Sequence, residues 1–407
     1  MRKTLFATLL AGVVLCACTE KSPSDESLQI TADDVIHLEG TFEENFMDSW
    51  EYILLEDEGN ETIVPGTVIK LMYDDGLYFI HSRNRHSTIK VYDSTGHYLN
   101  DISRLGRARN EYLYIDEWTL DRNKKEVLLI TSGGYCNPIS IKRFDYMGNY
   151  LGQAESDSLD NVHSISRVSK FMPDGSLLIE SGISIHPMYD FYYLQPDGSF
   201  NAPMDKLAYH FKCDEDKIDD EIRSYVNMTG EMPAFFVRDS YLNQDPDTAF
   251  FMRILDNHIY KIWDDGFECV ANLACLPGLP EKAKYNITWE DLERRDLPDI
   301  FFDMKDYVYV RSFEKGLFLY EKPTSKVYHM ERDTMYANFP DHRVPAVYGN
   351  DIIAWVDVED ISERLAEMDH PDYNHRYSPD VEDFYRKARN CENPPIIIGH
   401  YGERKTK

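Results

Sequence analysis

The sequence lacks most of the signatures that assign a chemistry directly. Its 7 cysteines and 13 histidines contain no Cys-x-x-Cys pair and no Cys/His spacing of a zinc module, which excludes that class of fold. There is no Gly-x-Ser-x-Gly elbow, no His-Glu-x-x-His pair and no phosphate-binding loop, so the hydrolase, zinc-protease and nucleotide-binding signatures are all missing. A calcium loop needs several oxygen ligands close together, as in Asp-x-Asp-x-Asp-Gly. The Asp-Asp-Gly at 74–76 and 264–266 and the Pro-Asp-Gly at 173–175 and 196–198 fall short of that. They also lack the Ser and Trp of a sialidase Asp-box and read as hairpin turns. No metal or cofactor is expected. Basic residues are scarce too, 43 Lys and Arg against 72 Asp and Glu for a net charge of −29. That balance argues against nucleic acid and anionic head groups as partners. It is compatible with cations, neutral glycans, peptides or a basic partner, and equally with solubility alone.

Long apolar runs are missing except for Leu5 to Leu15 behind Arg2 and Lys3. This run is too short to span a bilayer and reads as a signal peptide over 1–17. Leu15-Cys16-Ala17-Cys18 resembles the lipobox of bacterial lipoproteins, which implies lipidation at Cys18 and a membrane anchor through the lipid. Residues 18–34 then form a flexible tether, polar and acidic from Thr19 to Ser27. Such tethers resemble the surface-export signals of Bacteroidetes lipoproteins. The expected address is the outer membrane, at the cell surface or facing the periplasm. Of the other cysteines, Cys136, Cys213, Cys269, Cys275 and Cys391, an odd number, at least one stays unpaired within the chain. Cys269 and Cys275 could bridge a strand end in an oxidising envelope.

What the sequence does contain is a repeated hairpin. Ile89-Lys90-Val91-Tyr92-Asp93-Ser94-Thr95-Gly96-His97-Tyr98-Leu99 returns about 52 residues later as Ile141-Lys142-Arg143-Phe144-Asp145-Tyr146-Met147-Gly148-Asn149-Tyr150-Leu151. Each copy reads as strand, tight turn and returning strand. Similar strands follow in sets from Val68 to the end of the chain. Helical insertions are expected near 205–232, 280–297 and 360–390. A strand ending at Glu56 and the terminal strand Ile396 to Ile398 suit closure of a ring by the two termini. The expected fold over 35–407 is all-β, a six-bladed β-propeller of four-stranded antiparallel blades with small helical insertions.

The hairpins, the segment Arg104-Leu105-Gly106-Arg107-Ala108-Arg109-Asn110-Glu111-Tyr112, and Asn393-Pro394 before an apolar strand together resemble the six-bladed propeller lipoproteins of Bacteroides and relatives. Those are NHL/TolB-like proteins of unknown function. Their inter-blade segment usually reads Gly-x-Gly-Pro-Gly-Glu-Tyr. Here Gly106, Glu111 and Tyr112 match, while Ala108, Arg109 and Asn110 replace the other two glycines and the proline. The resemblance implies a fold and an envelope location, and no reaction.

Loops between blades lie on the face where propellers usually bind ligands. Arg104, Arg107, Arg109, Glu111 and Tyr112 are therefore the candidate ligand-binding residues, with arginines suited to a carboxylate such as a uronic or sialic acid. Alternatively, Glu111 and Tyr112 pack between blades while the arginines pair with acidic neighbours. His81 and His86 in the first set, and His186, are weaker candidates for metal or acid/base work. The expected function is non-catalytic binding of a glycan or protein ligand. An envelope carbohydrate-active hydrolase or lyase and a scaffold in an outer-membrane complex are the alternatives.

Overall fold

The computed structural model describes residues 28–56, 63, 68–82, 87–102, 104–113, 115–132, 139–155, 165–171, 175–181, 191–195, 197, 239–241, 249–252, 257–263, 266–278, 296–312, 314–331, 343–373 and 377–405. The segment read as a signal peptide, Cys18, the insertion at 205–232, residues 280–295 of the insertion near 280–297, Cys136, Cys213, His86 and His186 lie outside them.

Both copies of the repeat fold alike. Asp93 Oδ1 accepts from the backbone N–H of Thr95 (2.8 Å) and His97 (3.0 Å), and Asp145 Oδ1 from that of Met147 (3.0 Å) and Asn149 (2.8 Å). Such side-chain-closed turns are the reason Asp leads each motif. Gly96 and Gly148 then take φ of +84° and +79°, which glycine adopts without steric cost. Both strands shift register at the same place, between Val91 and Tyr92 and between Arg143 and Phe144.

The glycines also dock one sheet on the next. A Cβ on Gly96 would collide with the Leu54 carbonyl, and one on Gly148 with the Asp101 carbonyl. Each turn thus sits against the end of the outermost strand of the preceding sheet.

Among the described residues the strands form six larger sheets and one two-residue parallel pair. Sheet I is the meander Val68–Asp74, Leu77–Ser82, Thr88–Asp93 and Tyr98–Ile102, and sheet II is Glu117–Asp121, Glu126–Ser132, Ile139–Asp145 and Tyr150–Glu155. Sheet III holds Ile165–Phe171, Leu177–Ser181 and Phe191–Leu194; sheet IV holds Ala249–Met252, His258–Trp263 and Gly266–Asn272. Sheet V is Pro298–Asp303, Tyr307–Ser312, Gly316–Glu321 and Lys326–Met330, with Asp239–Tyr241 parallel along its first strand. Sheet VI combines Arg343–Tyr348, Asp351–Trp355 and Ile396–Tyr401 with Met47–Ile53 from the other end of the chain.

The start of the chain is laced along the outer edges. Leu28–Gln29 pairs in parallel with the last strand of sheet IV and Val35–Leu38 with that of sheet V. Helix α1, Phe42–Phe46, then leads into Met47–Ile53. Residues 28–34, placed in the tether by composition, are therefore structured: Ile30 is buried and its backbone bonds to Asn272 and Cys275. Short polar sequence gives no sign of an edge partner that lies hundreds of residues away.

Apolar residues fill the spaces between successive sheets. Met72, Phe79 and Val91 of sheet I meet Trp118, Leu120 and Leu129 of sheet II. Ile80 and Tyr92 meet Ile353, Trp355 and Ile398 of sheet VI on the other side. Buried carboxylates tie the same interfaces. Asp74, at the end of the first strand of sheet I, accepts from Tyr146 Oη (2.7 Å) and Lys125 Nζ (2.9 Å) of sheet II. Asp303 repeats the device in sheet V, accepting from Lys322 Nζ (2.6 Å) and from the Phe250 N–H (3.0 Å) of sheet IV.

The helical insertion near 360–390 consists of α2, Val358–Met368, and α3, Pro379–Lys387. Each presents one apolar stripe, Ile361, Leu365 and Met368 on α2 and Val381, Phe384 and Tyr385 on α3, as an amphipathic surface helix does. The Phe384 ring meets Trp50 and Tyr52 edge-on at 5.9 and 5.1 Å.

Asn393 explains the motif before the terminal strand. Its side chain is buried, accepts from the Ile63 N–H (2.8 Å) and donates to the Glu56 carbonyl (2.8 Å). It pins the link between sheets VI and I. Asn393→Ala leaves two backbone groups unpaired and is expected to cost about 2–4 kcal/mol. Urea unfolding checks this, and a loss under 1 kcal/mol would contradict it.

Candidate functional site

The segment 104–112 joins the outer strand of sheet I to the first strand of sheet II. Arg104–Leu105 pairs in parallel with Glu111–Tyr112, and the residues between make a closed turn. Gly106 N–H donates to the Tyr112 carbonyl (2.8 Å) and Glu111 N–H to the Ala108 carbonyl (2.9 Å). The Glu111 carboxylate folds back to accept from Ala108 N–H (2.8 Å). It fits because Gly106 has no side chain, since a Cβ there would collide with it. Lys142, in the second copy of the repeat, donates its ammonium to the Arg109 carbonyl (3.0 Å) and to that of Glu111. Burial pushes the Lys142 amine below its ordinary pKa.

Tyr112 is 2 % exposed, packs in the core between sheets I and II, and donates its hydroxyl to the Ser87 carbonyl. Desolvation raises its phenol pKa. Ser87 belongs to the loop between the second and third strands of sheet I, so this loop and the 104–112 turn share one face. Its Oγ lies 2.6 Å from His81 Nε2. His81 is 2 % exposed and its ring meets Trp118 edge-on at 6.2 Å. Trp118 in turn carries Lys70 over its face, and Lys70 Nζ bonds Glu117 Oε1 (2.5 Å) and the Trp118 carbonyl (2.6 Å). A line of contacts thus runs from the turn to an ion pair between the first strands of the two sheets.

The five sequence-derived residues divide by role. Glu111 and Tyr112 hold the turn and fill the core, as the packing alternative had it. Arg107 and Arg109 are exposed, and neither guanidinium bonds to another described residue. The structure places Arg104 in the parallel pair, and its side chain lies outside what is described. The replacements at 108 and 109 fall where the turn uses backbone groups, the N–H and carbonyl of Ala108 and the carbonyl of Arg109. Sequence reasoning missed Ser87 and Lys142 because their roles depend on contacts made across loops and strands.

His81, one of the weaker candidates, lies buried in the second strand of sheet I. Cys269 and Cys275, which could bridge a strand end, are not joined by a disulfide. Cys269 Sγ points to its own strand's Ala271 carbonyl at 3.6 Å, and burial lifts the Cys275 thiol to about 11. Among the described residues, no group of three or more His, Cys, Asp or Glu is placed to hold a metal, and no helix is long and apolar enough to cross a membrane.

A comparison with curated proteins gives no match. Among solved structures, the chain is similar to a protein of Bacteroides fragilis NCTC 9343 named for inferred export, with TM-score 0.59 and 15 % identity over 91 % of this chain and 100 % of that one. A member of the DUF4221 family from Bacteroides vulgatus ATCC 8482 aligns with TM-score 0.47 and 7 % identity over 89 % of this chain and 98 % of that one. At these identities the first likeness concerns the fold alone. The match that identifies a family comes from the sequence itself: residues 31–400 fit the description "Domain of unknown function (DUF4934)", and the chain belongs to that family.

Proposed function

We propose that the six sheets close into a six-bladed β-propeller and that the protein is a lipoprotein of the outer membrane, anchored through Cys18. It binds a glycan or protein ligand, without turning it over, at the face that carries the 104–112 turn. The closure of sheet VI by both termini and the docking of sheet VI on I and of I on II support the ring. The exported name of the Bacteroides fragilis protein supports an envelope location. The observation that carries the binding reading is the pair Arg107 and Arg109, two exposed guanidinium groups on a turn closed by the bonds of Gly106, Ala108 and Glu111. In an acidic protein this is a local site for a planar carboxylate, and uronic or sialic acids carry one.

The test is a glycan-array and thermal-shift screen of the mature chain beside Arg107→Ala/Arg109→Ala. A charge-assisted pair contributes about 1.5–3 kcal/mol, so the variant is expected to bind an acidic sugar roughly 10–100-fold more weakly with an unchanged melting temperature of its own. Equal binding by both proteins would refute the assignment.

One observation favours the hydrolase alternative: Ser87 Oγ and His81 Nε2 stand at nucleophile-to-base distance on the same face. Following the bound sugar over time decides between the two readings, because turnover that Ser87→Ala abolishes would make the protein an enzyme.

A further inference from the structure

A groove of about 700 Å³ runs between the strand Met47–Ile53 and helix α3, and none of its lining residues belongs to the arginine-bearing turn. Six carboxylates line it, Glu43, Glu44, Asp48, Glu51, Asp380 and Asp383, against the ammonium groups of Lys387 and Lys405. Surface carboxylates alone would signify little. What sets this groove apart is Glu43, which is 3 % exposed and whose Oε2 has no hydrogen-bond partner among the described residues. A buried carboxylate oxygen left without a donor is costly to the fold and is relieved by a donor that arrives with the ligand.

The groove also shows how it holds a cation. Lys387 lies over the Tyr52 ring at 5.9 Å while its Nζ bonds Asp383 at 2.6 Å. One ammonium group is thus seated on an aromatic face and a carboxylate, the arrangement that recognises organic cations generally. Trp50 and Tyr52 continue the aromatic wall, with ring centroids 6.1 Å apart.

We infer that this groove binds an organic cation, a primary ammonium or guanidinium group carried by a free polyamine or by the Lys and Arg side chains of a peptide. The cation takes the carboxylates of Asp48 and Asp380 on opposite walls, reaches toward Glu43, and competes with Lys387 for the Tyr52 face.

Titration calorimetry of the mature chain with spermidine and with pentalysine at low salt tests this. Asp48→Asn/Asp380→Asn, two exposed positions, is expected to weaken binding roughly fivefold to tenfold. Lys387→Ala is expected to tighten it about threefold by vacating the Tyr52 face, a gain that misfolding cannot produce. Spermidine binding at least as tightly as pentalysine assigns the groove to free amines, and tighter pentalysine binding assigns it to peptides. Failure of both probes to bind, or affinity unchanged in both variants, overturns the inference. Arg107→Ala/Arg109→Ala retains cation binding, so this groove and the arginine face stand or fall separately.

Discussion

Gly148→Ala is expected to destabilise the fold by about 3 kcal/mol or more, and Gly96→Ala by a similar amount, whereas Gly76→Ala costs only about 1–2 kcal/mol. All three glycines have positive φ, +79°, +84° and +78°, so each variant incurs the same left-handed backbone penalty, about 1–2 kcal/mol. They differ in surroundings. A Cβ on Gly76 would find its nearest neighbour at 4.0 Å, while those on Gly148 and Gly96 would strike backbone carbonyls of the adjoining sheet. Backbone cannot rotate away as a side-chain tip can, so the added methyl has to push two sheets apart and loosen the core between them. Urea unfolding of the three variants measures the docking term by difference. Equal losses in all three would show that the repeat is merely a turn and plays no part in joining sheets.

Glu43→Gln is expected to stabilise the protein at pH 8 and to change little at pH 4. Burial lifts the Glu43 carboxyl from an ordinary 4.5 to about 7, with its own N–H and Thr41 opposing the shift and Glu44 adding to it. The folded chain therefore holds this proton more tightly than the unfolded one. The Glu43 contribution to stability is undiminished below about pH 4.5, falls as pH rises toward 7, and carries the full cost of the buried charge above that. A shift of this size corresponds to something on the order of 3 kcal/mol. Gln keeps the shape and carries no charge, so the stability of the variant relative to the wild type should rise across the interval where Glu43 loses its proton. Melting curves at pH 4, 6 and 8 read this out, and parallel profiles for the two proteins would contradict it.

The order of the sheets was legible because their signals are local. Alternating apolar residues and Asp/Gly turns mark Thr88–Asp93, Tyr98–Ile102, Ile139–Asp145 and Tyr150–Glu155 without reference to anything distant. Pro298–Asp303 was hidden by its leading proline, which argues against a strand next to a charged insertion. Helix α1 carried a usable sign, the capping box of Thr41 and Glu44, whose side chains bond reciprocally to each other's backbone N–H at 3.1 Å. The candidate site was legible as a pattern of Gly, Glu and Tyr, but not as a mechanism. That Gly106 makes room for a carboxylate, and that Tyr112 reaches Ser87, follow only from how the chain folds back. Glu43 gave no warning at all. Phe42 and Phe46 bury one face of α1, and the residue between them is carried inside by neighbours from the C-terminal strand, such as Tyr401, which stacks on Phe42 at 4.5 Å.

The pairing of Met47–Ile53 with Ile396–Tyr401 also fixes an order of events during biosynthesis. The strand Met47–Ile53 waits for Ile396–Tyr401, so Ile53 meets Ile396 only after the sheets between them have been synthesised. So distant a contact makes folding slow, and the waiting strand exposes an unpaired edge. Asp48, Ser49 and Glu51 are exposed polar positions on that strand, and the two carboxylates repel other copies of the same edge. The residues that line the cation groove in the finished fold therefore also keep the unfinished chain from associating with itself.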